Sequence, residues 1–169
     1  TFPAAVKLAV PQDKHVDTLV INAAECEPYL SADHRLMVEH AEETMSGIRL
    51  VKKALGIPSV KIGVELNKPD AIEALKACVK EGEGIEVIGL KAQYPQGGEK
   101  QLTYALTGRK VRTGGLPLDI GVIVMNVGTC YAIHRAVYEG RPVIDRVVTV
   151  GGTVAKPANY LARIGSPVE

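Results

Sequence analysis

A chain of 169 residues, 46% of them hydrophobic and 23% charged, has room for one ordinary hydrophobic core, and its composition excludes both disorder and a fibrous repeat. Twenty Lys and Arg against nineteen Asp and Glu leave a formal charge of +1 with the basic residues scattered, which argues against nucleic acid as a partner. The longest apolar runs, such as residues 120–127, fall short of the roughly 20 residues of a membrane span, so the segment reads as soluble yet able to dock on a membrane partner.

In chain order, residues 18–22 form the first predicted strand, because Leu19, Val20 and Ile21 make a continuous apolar run without polar alternation. A polar turn follows at 23–29. Over residues 31–55 the apolar positions Met37, Ala41, Met45, Ile48, Val51 and Leu55 recur at helical spacing, which predicts one long helix with Ser31 as its cap and Gly56 and Pro58 as its stop. Residues 60–66 are a second strand, 69–79 a helix with Pro69 in its first turn, and 85–90 a third strand after the glycine-bearing break at 81–84. A loop at 94–98 leads into a short helix near 99–106, and a Gly/Pro-rich stretch then precedes a fourth strand at 121–125 and a helix at 129–139. This alternation predicts an α/β layer structure, a mainly parallel sheet with helices on both faces. Past Arg141 and Pro142 the texture changes to β-branched residues and glycines, which predicts strands joined by a turn and a domain boundary near residue 145.

In open α/β sheets ligands bind beyond the carboxyl ends of the strands, so the residues at each strand exit carry the functional signal. Asn22, Glu25 and Glu27 leave the first strand in one short turn. An Asn amide both donates to and accepts from the edge of a planar heterocycle, and carboxylates accept from the ribose or carboxamide of a dinucleotide. The plainer reading is that Asn22 closes the turn onto its own backbone and that Glu25 and Glu27 are solvated. In the second exit loop Gly97 and Gly98 let backbone approach a ligand closely, Tyr94 supplies a ring, and the next helix offers free N–H groups; a common glycine turn at a helix start is the alternative. The third exit, from Asn126 to Thr129, suits a phosphate or ribityl chain, with Thr129 as an ordinary N-cap as the alternative.

Cys26, Cys78 and Cys130 are odd in number and widely spaced, fit neither a disulfide framework nor a zinc or iron–sulfur ligand set, and point to a reducing compartment. Glu25, Cys26, Glu27, Asp33 and His34 match no metal-ligand spacing, so no metal site is expected. His15, His40 and His134 are expected on surfaces or helix faces. Without a paired nucleophile motif, hydrolase chemistry has no anchor.

Four stretches carry a resemblance: Phe2-Pro3-Ala4-Ala5-Val6-Lys7-Leu8, Ile21-Asn22-Ala23-Ala24-Glu25-Cys26-Glu27-Pro28-Tyr29, Tyr94-Pro95-Gln96-Gly97-Gly98-Glu99-Lys100-Gln101-Leu102-Thr103-Tyr104 and Met125-Asn126-Val127-Gly128-Thr129. In order and spacing they resemble the C subunit of the Rnf ion-translocating electron transport complex and, more distantly, the flavin subunit of respiratory complex I. The resemblance implies an FMN site that accepts hydride from NADH and passes electrons singly to 4Fe-4S clusters held elsewhere in a longer parent protein. It further implies partner subunits of a membrane-bound complex and a peripheral place on the cytoplasmic side of the bacterial inner membrane.

Carried over by motif, Lys7 would face the FMN phosphate, Asn22 the isoalloxazine edge, and Asn126 with Thr129 the ribityl phosphate end. Glu25, Glu27 and Glu99 would line the NADH side, with Tyr94, Gly97 and Gly98 as the cleft wall. Residues 1–145 would be the FMN- and NADH-binding domain and 146–169 the start of a β-grasp, soluble-ligand-binding domain. The family's glycine-rich loop is expected immediately before Phe2, so the chain reads as a fragment, inactive alone and binding FMN weakly or not at all. The flavin subunits of complex I have Asp where this chain has Ala24 and Glu where it has Gly98, so hydrogen bonding around the flavin must differ. A cobalamin-reductase-like flavoprotein and a docking scaffold without cofactor are the competing readings.

Overall fold

The computed structural model describes residues 3–167; Phe2, which opens the first of the four motifs, lies with Thr1, Val168 and Glu169 outside the described residues. Leu19, Val20, Ile21 and Ala23 are all fully buried, so strand β1 (Thr18–Ala23) is covered on both faces, as its unbroken apolar run predicts. It pairs in parallel with β2 (Ser59–Glu65) on one side and β4 (Val122–Asn126) on the other, and β2 pairs in parallel with β3 (Ile85–Leu90). The spatial order β3-β2-β1-β4 makes an all-parallel sheet of four strands.

Alternate residues of each strand enter two separate cores. Leu19, Ile21, Val60, Ile62, Val87, Ile123 and Met125 face a layer made by α2 (Ala32–Glu39), α3 (Ala41–Leu55), α4 (Pro69–Ala77) and α6 (Val127–Tyr138). Val20, Leu90, Val122 and Val124 face α5 (Glu99–Thr107) through Leu102 and Leu106. Each fully buried side chain of this size contributes roughly 1.5–3 kcal/mol, which is what holds the three layers together. The helices α3 and α6 meet closely at Gly47, where a Cβ would collide with the backbone of Cys130. Burial pushes the Cys130 thiol up to about 12.

The predicted helix over 31–55 is two helices. His40 leaves helical geometry (φ −134°, ψ 42°) between α2 and α3, and its ring packs against Tyr131 of α6 with centroids 5.0 Å apart. Both helices present apolar residues to the same core, so the periodicity runs through a break that a distant side chain accompanies. Two further elements, the short helix α1 (Ala4–Leu8) and a 3₁₀ turn at Pro117–Ile120, were not predicted. Helix α6 begins at Val127 rather than 129, with Asn126 as its cap.

After α6 the chain forms an antiparallel hairpin, β5 (Asp145–Val150) and β6 (Ala158–Arg163), as the change of texture past Pro142 predicts. Polar contacts hold it to the helical layer. Arg135 of α6 pairs with Asp145 at 2.7 Å, the Ser31 N–H donates to Thr149 Oγ1 at 3.1 Å, and Asn159 Nδ2 donates to the Ser31 carbonyl at 3.2 Å.

Candidate functional site

The strand order reverses direction at β1: the chain leaves it towards β2, and the connection through α5 later returns on the opposite face to place β4 at its other side. Such a switch point leaves a crevice beyond the carboxyl ends of the two diverging strands. Asn22 and Asn126 are register partners there. A hollow of about 530 Å³ opens above them, lined among others by Glu25, Glu27, Asp33, Tyr94, Gly97 and Gly98.

The two asparagines do the same local work. Asn22 Oδ1 accepts the Ala24 N–H at 3.2 Å and Asn126 Oδ1 accepts the Gly128 N–H at 2.9 Å, each closing its own turn two residues on. The amide nitrogens reach across to other segments, Asn22 Nδ2 to the Gly97 carbonyl at 2.8 Å and Asn126 Nδ2 to Asp33 Oδ2 at 2.7 Å. The turn-closing alternative for Asn22 is therefore correct in geometry, and the same side chain also ties the first exit loop to the second. Each amide keeps one N–H and one lone pair for a ligand.

Gly97 packs against the first exit turn, where a Cβ would collide with the Ala24 carbonyl oxygen, so this glycine seats one loop on another. Gly98 is the N-cap of α5, and no side chain caps that helix. Tyr94 stands largely exposed on the crevice wall. Glu25 is not the solvated charge of the plainer reading. It is 9% exposed, and its carboxylate accepts the Asp33 and His34 N–H groups at 3.1 and 3.2 Å, capping α2 from a distance because Ser31 makes no side-chain cap. Burial pushes Glu25 above the usual carboxylate range against those two hydrogen bonds. Glu27 is exposed at the rim.

Lys7, Glu99 and Thr129 are not among the crevice-lining residues. Lys7 Nζ donates to Glu99 Oε1 at 2.8 Å and to the Val124 carbonyl at 2.7 Å, beside an apolar hollow along the outer edge of β4. Thr129 lies in the first turn of α6, inside the helix that Asn126 caps, so it is not the N-cap. Three features of the site were missed. Asp33, partly buried on α2, holds Asn126, and burial raises its carboxyl. Val147, Val148 and Thr149 of the hairpin line the crevice. Behind it, buried Lys68 pairs with Glu65 at 2.6 Å and points its ammonium at the Glu25 carbonyl at 3.4 Å. Among the described residues no group of three side chains has the geometry to hold a metal ion, and no helix is long and apolar enough to cross a membrane.

Residues 1–135 match the Nuo51 FMN-binding domain family. The chain is 51% identical over 167 residues to the C subunit of the proton-translocating ferredoxin:NAD(+) oxidoreductase complex of Clostridium ljungdahlii, covering 98% of this chain and 36% of that protein. It is 49% identical over 170 residues to the C subunit of the Na(+)-translocating ferredoxin:NAD(+) oxidoreductase complex of Acetobacterium woodii, covering 100% of this chain and 38% of that one. The chain thus spans little more than a third of these curated relatives, and the resemblance to the Rnf C subunit read from the motifs agrees with them. Two crystal structures of NAD+-reducing [NiFe]-hydrogenase, air-oxidised and H2-reduced, share the fold with TM-scores of 0.79 and 0.80 at 24% and 23% identity, over 98% of this chain and 34% of theirs.

Proposed function

The chain belongs to the Nuo51 FMN-binding domain family, and from that premise we propose that the crevice beyond β1 and β4 holds FMN and receives NADH. The observation that carries this reading is the register of Asn22 with Asn126 at the switch point, with the Tyr94 to Gly98 loop clasped to Asn22 on the third side.

The donor set fits such a ligand in parts. Two amides with free valences and the carboxylates of Glu25, Glu27 and Asp33 suit a neutral ring with hydrogen-bonding edges and a polyol, and no lysine or arginine lines the crevice among the described residues. A phosphate would be repelled there. It is favoured instead towards the uncapped start of α5 and the Lys7 ammonium, both beside Gly98 and Glu99. Asn22 and Asn126 would hold the ring and ribityl groups, Glu25 would keep the β1 exit and α2 in place, and the hairpin residues Val147 to Thr149 would exclude water from one side. Bound FMN supplies the hydride-accepting, two-to-one electron chemistry. In the relatives' names ferredoxin is the electron donor and NAD(+) the acceptor, so the flavin would stand between ferredoxin and the nicotinamide, with other subunits of an ion-translocating complex as partners. Iron–sulfur clusters would lie in the remainder of a longer protein, and residues from 146 onward would begin its next domain.

Reconstitution of the complete protein with FMN, followed by visible absorbance, tests the reading. One equivalent is expected to bind, and Asn22→Ala, which removes the hydrogen bond clasping the Gly97 carbonyl and the one closing the turn at Ala24, is expected to weaken uptake about tenfold or more. A wild-type protein that takes up no flavin overturns the proposal and favours a scaffold.

A further inference from the structure

We propose that Lys68 is a positioning residue for the crevice: its buried ammonium anchors the β1 exit turn at the Glu25 carbonyl and directs the cationic end of the Glu65–Lys68 pair towards that turn; the inference rests on the functional reading of the crevice given above. Lys68 is 7% exposed and Glu65, its partner at the end of β2, 2%. The three N–H groups of the ammonium match three acceptors, Glu65 Oε2 at 2.6 Å and the Glu25 carbonyl and Asn67 Oδ1 at 3.4 Å each. Among the described residues the Glu65 carboxylate accepts from Lys68 alone.

Nothing local favours a lysine there. Lys68 occupies the N-cap of α4 without a side-chain cap, where Ser, Thr, Asp or Asn would serve, and its charge has the wrong sign for the start of a helix. The desolvation of a buried ion pair often exceeds its attraction, so that apolar replacement of both partners leaves a fold as stable or more so. A local rule broken in this way points to a functional demand. What the ammonium reaches is the backbone of the turn that walls the crevice. Asn22 holds the Ala24 N–H, the Ala24 carbonyl oxygen lies where a Cβ on Gly97 would collide with it, and the Glu25 carboxylate caps α2, which leaves the Glu25 carbonyl to Lys68. Ala24, Glu25 and Cys26 line the crevice whereas Lys68 and Glu65 do not, so the pair acts through the turn. Burial raises the Glu25 carboxyl and the Lys68 charge is among the influences that oppose the rise, so the ammonium is felt on the crevice side. Reduction adds negative charge to a flavin ring, and a cation in a poorly solvated place behind the wall favours the reduced form.

Midpoint potentials of the flavin in the complete protein test this without relying on turnover. Glu65→Gln, which leaves the ammonium uncompensated, is expected to raise the potential. Glu65→Gln combined with Lys68→Met is expected to lower it by about 30 mV, the two-electron equivalent of a tenfold loss of preference for reduced flavin. A merely structural loosening would move both variants in the same direction. The double variant is expected to melt no lower than the wild type, while hydrogen exchange at the amides of residues 23–27 quickens about tenfold. Potential shifts of the same sign, or none, overturn the assignment, as do unchanged exchange and a lowered melting midpoint of the double variant, which makes the pair structural. Should the wild type take up no FMN, the flavin reading fails and exchange alone decides: faster exchange at an undiminished melting midpoint keeps Lys68 as the anchor of the turn, and equal exchange overturns it.

Discussion

The two ends of the parallel sheet carry carboxylates of opposite character. At the amino ends Asp17 precedes β1, Glu83 precedes β3 and Asp119 precedes β4, and each faces a cation, Arg109, Arg49 and Lys14 respectively. Hydrogen bonds from Arg109 to Asp17 and from Arg49 to Glu83 hold those carboxyls below their usual range, Glu83 down to about 2; Asp119 is lowered first by the Leu116 N–H and then by Lys14. At the carboxyl ends Glu25 and Asp33 are held by amides rather than by opposite charges, and burial raises both. Two tight ion pairs on that side, Glu65 with Lys68 and Lys7 with Glu99, sit outside the crevice lining. Charge at the amino ends stabilises the fold; in the crevice, polar groups are kept partly dry at a cost in stability, the arrangement expected where a ligand completes the site.

The largest expected effect that sharpens this contrast compares two glycines, one at each end. A Cβ on Gly84, which has φ +66°, would collide with the Pro58 carbonyl oxygen before β2, and a Cβ on Gly97 would collide with the Ala24 carbonyl oxygen after β1. Overpacking against backbone costs about 1–3 kcal/mol, so chemical denaturation should find Gly84→Ala and Gly97→Ala similarly destabilised. Only Gly97→Ala should also lose FMN affinity at temperatures where both remain folded. Equal loss of flavin from both variants would mean that the crevice merely reports global stability, and the distinction between the ends would vanish.

A smaller effect belongs to the amino end alone. Glu83 accepts from Arg49 Nε at 2.7 Å and Nη2 at 2.9 Å and from the Lys80 N–H at 2.9 Å, and Arg49 Nη2 also donates to the Cys78 carbonyl at 2.6 Å, joining α3, α4 and the approach to β3. Because folding lowers the Glu83 carboxyl from 4.5 to about 2, its contribution is complete above pH 4.5 and disappears as pH falls through that interval. Glu83→Gln should cost about 1 kcal/mol at neutral pH, a value set by partial solvent screening, and flatten the acid limb of the stability profile. An unchanged acid limb would show that the pair does not act as its geometry implies.

What the sequence made legible follows the range of the forces involved. Buried strands and amphipathic helices announce themselves by local period, and the crevice announced itself because Asn22, Gly97 and Asn126 lie at strand exits. The contacts that define the site's detail are long-range. Asp33 meets Asn126 across 93 positions, and Lys7 meets Glu99 across 92, where neither spacing nor propensity carries information. The break at His40 was hidden for a related reason, since both helices it separates serve one core. Glu25 shows a subtler limit: a carboxylate in a polar turn looks solvated until the helix end that it caps is folded against it.

The smallest predicted effect has the opposite sign from the others and tests the carboxyl end directly. Burial raises Asp33, partly opposed by the hydrogen bond from Asn126 and the charge of Arg146 and reinforced by Glu27. The folded state therefore binds the Asp33 proton more tightly than the unfolded chain does, and stability declines as pH rises from the ordinary value of 3.8 through the raised one. Asp33→Asn removes the penalised charge while its Oδ1 can still accept from Asn126 Nδ2. It should stabilise the fold by roughly 0.5 kcal/mol at neutral pH and change nothing well below pH 4, where the wild-type group is already neutral. If the variant is instead less stable at every pH, the Asp33 carboxylate is a structural anchor of the same kind as Glu83, and the two ends of the sheet differ in place but not in character.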